Sequence, residues 1–144
     1  MNFEKKQTIP ACQTLLFVIK RLNVAIAMLE KIEADWQVAM RMNKDGCNLR
    51  EQSQVLVDTI SMYISVLVDT RKGTHSLINS FLPNEFVNKF TNSNIVQKCK
   101  MKRNNRGAHE SKFYGFTITP DDILNSDIKQ LVISAEIFIV NTPN

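Results

Sequence analysis

The sequence predicts an all-α protein: an antiparallel helical bundle of four to five helices, with residues 1–144 forming one domain. Three observations carry this. Apolar residues recur at helical spacing over long stretches. Only four Gly and four Pro occur, mostly where one element gives way to the next. A chain of 144 residues, 44% hydrophobic and 22% charged, can bury a sizeable core and has an ordinary globular composition.

The first helix starts with Thr8 as cap and Pro10 in its first turn. Leu15, Ile19, Leu22, Ile26, Leu29 and Ile32 then mark its inner face, with Trp36 one turn further. The pattern runs to about Asn43, with Gly46 as the stop. Roughly nine turns at 3.6 residues each suit the spine of a bundle. Met28, Met40 and Met42 read as core and interface filler rather than ligands.

Asn48 with Glu51 resembles a capping box for a second helix. Val55, Leu56, Ile60, Ile64, Leu67 and Val68 form its stripe, and Gly73 ends it. The β-branched run over 66–70 leaves strand as an alternative there. Asp69, near the end of this helix, opposes the helix dipole. It pairs with an arginine or stands exposed, and exposure is the commoner case.

A short helix follows over 74–82, with His75 as a surface or capping residue. Pro83 and Asn84 open the next element, which Asn92, Ser93 and Asn94 interrupt. It resumes through Ile95, Val96 and Cys99 and leaves Arg103 near its end. Residues 110–118 read as a loop or arm carrying Phe113, Tyr114 and Phe116. These aromatics would stack on bases or cover the bundle end. Thr119, Pro120, Asp121 and Asp122 make a strong helix start. The last helix has a wide apolar face from Ile123 to Ile139, which places it centrally in the bundle or in a dimer interface.

Net charge is +4 and the pI is near 9.1, a mild bias toward anionic partners. Three cysteines with no close pair show neither a disulfide framework nor zinc spacing and fit a reducing cytosol. The polar, mixed-charge start does not read as a signal peptide. The apolar run at 15–19 is cut by Lys20 and Arg21, far short of a membrane span. His75 and His109 are the only histidines, without an acid cluster. No glycine-rich phosphate loop or Ser-His-Asp pattern appears either. The sequence therefore points to no metal and no cofactor.

The chemically distinctive stretch is Arg103-Asn104-Asn105-Arg106-Gly107-Ala108-His109, within a basic run that includes Lys98, Lys100, Lys102 and Lys112. Arginine offers forked donors that match phosphate oxygens. Histidine exchanges protons near neutral pH. Such a pair could use the 2′-hydroxyl of RNA as the nucleophile and stabilise the charge that develops at phosphorus. On spacing alone the plainer reading is a solvated, basic helix end followed by a turn at Gly107.

An Arg followed by a polar residue, then four to six intervening positions and a His, is the signature of the HEPN superfamily (higher eukaryotes and prokaryotes nucleotide-binding). Arg103, Asn104 and His109 resemble it. Gly107-Ala108-His109-Glu110 is similar to the bacterial branch linked to phage defence and abortive infection. The end of the second helix, Val68-Asp69-Thr70 with Ser76-Leu77 beyond it, is similar to the same branch. The resemblance implies a HEPN-like bundle and a homodimer whose two motifs share a cleft. It also implies a metal-independent endoribonuclease, of a kind often found as toxins or defence effectors with an antitoxin partner. By position His109 becomes the general acid or base, Arg103 the ligand of the scissile phosphate and Asn104 a supporting polar group. Charge alone assigns Lys100, Lys102 and Arg106 to the RNA backbone. Some toxin members carry a Tyr two residues after the His, which a partner nucleotidyltransferase modifies. Here that position is Ser111 and the nearest tyrosine is Tyr114, so that route of regulation is not implied. Two other readings stand beside the nuclease. One is a non-catalytic HEPN module that binds nucleotide or RNA, or serves as a scaffold. The other is a helical bundle with no nucleic-acid role.

Overall fold

The computed structural model describes residues 9–106 and 117–142. Among them the protein is all-α, with seven helices and no extended strand. In chain order these are α1 (Ile9–Arg41), α2 (Cys47–Leu67), α3 (Leu77–Ser80), α4 (Glu85–Asn92), α5 (Asn94–Arg106), α6 (Pro120–Leu124) and α7 (Ile128–Asn141). The predicted class holds and the predicted count of four to five does not. Two short interruptions divide what the apolar spacing joins, the expected one between α4 and α5 and an unexpected one between α6 and α7.

The spine is the α1–α2 hairpin. Leu15, Ile19, Leu22, Ile26 and Leu29 of α1 are buried against Val57, Ile60, Ile64 and Leu67 of α2. Five such side chains on one face, at about 1.5–3 kcal/mol each for full burial, explain why so long a helix holds together. Ser53 donates to Glu33 at 2.6 Å across the hairpin. α7 closes the other side through Ile128, Leu131, Val132, Ala135 and Ile139, and Lys129 reaches Glu30 at 3.0 Å. Ile133, Ile137 and Val140 remain exposed, as do Met28, Met40 and Met42, which the sequence placed in the core or at an interface. By length and composition α1 could also cross a membrane, contrary to the expectation from its interrupting charges, although 44% of its apolar stretch is buried here.

The ends of the helices differ from the sequence reading in instructive ways. Thr8 lies outside the described residues. α1 stops because Asn43 takes the left-handed conformation (φ 54°). The Lys44 N–H then bonds the Ala39 carbonyl and the Asn43 N–H the Met40 carbonyl, which closes the helix end. Gly46, the expected stop, has another use: any Cβ there would overlap the ring of Trp36, which also carries the Arg50 guanidinium at 4.8 Å. Gly46→Ala is expected to cost about 1–3 kcal/mol by overpacking. Urea unfolding followed by the fluorescence of this single tryptophan would read it, and an unchanged midpoint would show that the ring moves freely aside. Gly46, not Asn48, is the cap residue of α2, and the Asp45 carboxylate just before it accepts the Cys47 N–H at 3.0 Å. α2 ends at Leu67, ahead of Gly73, which instead turns the following connection at φ 87°.

The predicted interruption at 92–94 falls at Ser93, whose hydroxyl donates to Asp127 at 2.9 Å. Asn84 caps α4 by accepting the Val87 N–H. The start at Thr119 is a full capping box: the Thr119 hydroxyl accepts the Asp122 N–H while the Asp122 carboxylate accepts the Thr119 N–H. The helix that begins there ends after five residues. Ser126 donates to the Ile123 carbonyl and accepts the Ile128 N–H, which offers the backbone an alternative to continuing the helix.

Candidate functional site

The polar face of α2 turned toward α5 positions the site. Asp58, Ser61 and Ser65 lie three and four residues apart, so they align along one side of the helix. Asp69 extends the row just beyond the helix end. On α5, Ile95, Val96 and Cys99 anchor the inner face in the core. That anchoring rotates Lys102 and Arg103 onto the row. Lys102 meets Asp58 at 2.7 Å, and Gln54 donates to the same carboxylate.

Arg103 Nη1 bonds Asp69 Oδ2 at 3.0 Å and the Ser65 carbonyl at 3.4 Å. That carbonyl is one of the groups a helix end leaves without an intrahelical partner. Asp69 is buried, which decides between the two alternatives the sequence left for it. Its carboxylate also takes Arg71, through Nε and Nη2 at 2.7–3.1 Å and through the Arg71 backbone N–H at 2.9 Å. Its carbonyl accepts the Ser76 hydroxyl at 2.6 Å. Asp69 thus ties together the end of α2, the turn after it, the cap of α3 and α5.

The Arg71 guanidinium, reinforced by its own backbone N–H and by Arg103, holds the Asp69 carboxyl far below the ordinary range, against the opposing push of burial. Its folded pKa is depressed. Its contribution is therefore present above the unfolded carboxyl value of about 3.9 and lost as pH falls through the folded value. Asp69→Asn is expected to cost about 1–2 kcal/mol at neutral pH, discounted for the exposed side of Arg71. The gap to the parent protein should narrow as pH drops below about 4. Urea midpoints across that range would check both, and a pH-independent gap would mean that shape rather than charge is at work.

Arg103 and Ser65 form the shared wall of two cavities. One, of about 150 Å³, lies between Asp58, Ser65, Cys99, Lys102 and Arg103. The other, of about 280 Å³, is lined by Ser65, Asp69, Thr70, Arg71, Lys100 and Arg103. Burial pushes the Cys99 thiol up to about 11, so it packs rather than reacts. Among the described residues no group of three or more His, Cys, Asp or Glu could hold a metal ion.

The structure therefore gathers Lys100, Lys102 and Arg103 of the predicted set at one seam. Asn104 and Arg106 lie in the last turn of α5, with their side chains outside what the structure describes. His109 and the aromatics of the 110–116 arm lie outside the described residues. Sequence reasoning missed Arg71, Asp58 and Ser65. The i, i+3, i+7 row of Asp58, Ser61 and Ser65 was a legible signal, because polar residues on so regular a helical row mark a face turned toward polar partners. Comparison of this chain with known protein families, with curated proteins and with solved structures finds no match.

Proposed function

We propose that this chain is a HEPN-type, metal-independent endoribonuclease. The observation that carries the reading is the setting of Arg103. Asp69 and the Ser65 carbonyl hold its Nη1, while no hydrogen bond among the described residues takes Nε or Nη2. A guanidinium fixed on one side with its forked edge open beside a cavity suits a phosphodiester. With His109 six positions on, the pair has the parts for attack by the RNA 2′-oxygen. The P–O5′ bond breaks, a 2′,3′-cyclic phosphate forms, and a proton passes to the departing O5′. Arg103 holds the phosphate, His109 moves the proton and Asn104 supports them. Lys100, Lys102 and Arg106 attract the RNA backbone.

The protein acts as a homodimer, with two motifs sharing one cleft. Phe17, Val24 and Met28 on α1, and Ile133, Ile137 and Val140 on α7, are exposed apolar surface in keeping with a second copy. Its cellular role is that of a toxin or phage-defence effector in the cytoplasm, restrained by an antitoxin partner. Free thiols at Cys12, Cys47 and Cys99 agree with that compartment.

A second reading, a non-catalytic HEPN module that binds RNA or nucleotide or scaffolds other proteins, is favoured by one observation: Asp69 already neutralises much of the Arg103 charge. Incubating the purified protein with RNA in EDTA separates the two. Cleavage supports the nuclease. Salt-dependent binding without cleavage supports the binding module.

A further inference from the structure

We propose that Arg71 and Lys100 form a second backbone-phosphate subsite beside Arg103, so that the α2–α5 seam grips two successive phosphates of a single RNA strand. The inference rests on the RNA reading and adds a residue that no motif contains.

The cavity of about 280 Å³ brings three cations, Arg71, Lys100 and Arg103, to one carboxylate, Asp69. Among the described lining residues the net charge is +2, one more than a single phosphodiester offsets. Lys100 and Arg103 are one turn apart on α5 and share a side of it. Arg71 arrives from the connection after α2. Its side chain is 70% exposed, yet the fork onto Asp69 fixes its direction. That order, already present without RNA, lowers the entropy lost on binding. Arg71 Nη1 and the Lys100 ammonium have no hydrogen-bond partner among the described residues. Lys102, which the sequence ranked with Lys100, is closed onto Asp58 at 2.7 Å. Arg71, not Lys102, therefore joins Lys100 in this subsite, and Lys102 acts on the strand only through its charge.

Salt dependence tests this directly. Each phosphate contact on a single strand contributes about 0.7 to the slope of log K against log salt. The probe is a short single-stranded 2′-O-methyl RNA, which lacks the free hydroxyl needed for cutting, and the readout is fluorescence anisotropy. Arg71→Ala and Lys100→Ala should each flatten the slope by about 0.7 and weaken binding about fivefold at 0.1 M salt. Arg71→Lys should keep the slope and lose part of the affinity, because the charge stays and the fork goes. Among the described residues the ion pairs of Asp69 are with Arg71 and Arg103 and not with Lys100, so the Lys100 variant reads the subsite with that pairing intact. Unchanged slopes in Arg71→Ala and Lys100→Ala would overturn the proposal. So would binding that needs a 5′-terminal phosphate on the probe, since the site would then hold a strand end. If the slopes move as expected while the protein never cuts unmodified RNA, the subsite stands and the nuclease reading falls. If RNA is cut and the slopes stay put, the reverse holds.

Discussion

His109→Ala is expected to lower RNA cleavage in EDTA by about 10²- to 10⁴-fold, the usual contribution of a positioned proton-transfer group. Helix content and oligomeric state should not change. Attack by a 2′-hydroxyl needs a base, and departure of O5′ needs an acid. At neutral pH imidazole serves as either. His75, the only other histidine, is exposed, and His75→Ala should cut at the parental rate. A second signature separates chemistry from architecture. The parent's cleavage rate should depend on pH through a proton-transfer group that the residual activity of the variant lacks. Cleavage by His109→Ala at the parental rate would remove His109 from the reaction and return the motif to a solvated helix end.

Arg103→Ala should reduce cleavage by about 10²- to 10³-fold, the loss seen when one preorganised donor to a developing anion is removed. The effect should fall mainly on kcat, because the charge at phosphorus grows in the transition state. Arg103→Lys should recover little. An ammonium is a single point of charge and cannot hold Asp69 and the Ser65 carbonyl on one side while offering a fork to phosphate on the other. Both variants should stay folded, because Asp69 keeps Arg71 as a partner at 2.7 Å. If Arg103→Ala cuts as well as the parent, Arg103 serves only to pin α5 against α2. The seam is then structural, and the binding-module reading gains.

Much of the scaffold is legible because helices are written locally. The α4–α5 break at Ser93 and the capping box at Thr119 follow from residues within a turn of one another. The split between α6 and α7 was missed because the apolar spacing runs straight through it. It depends on one hydroxyl, Ser126, serving two backbone groups. Gly46 and Gly73 read alike as helix stops, yet one admits the Trp36 ring and the other turns a loop. What crowds a glycine lies elsewhere in the chain. In the site, the tension of an acid at a helix end raised the prospect of an arginine for Asp69, but two were there. Arg71 stands two residues on and Arg103 thirty-four.

Taken alone, the order of residues determined the all-α class, the long first helix, the basic run and the place of Arg103 on it, since periodicity, caps and charge act over one or two turns. Only the folded chain decided that Arg103 would share a buried carboxylate with Arg71 and line two cavities beside it. That outcome depends on how α5 rotates as Ile95, Val96 and Cys99 seat in the core against α2. Packing between elements far apart in sequence sets that rotation, and no local pattern encodes it.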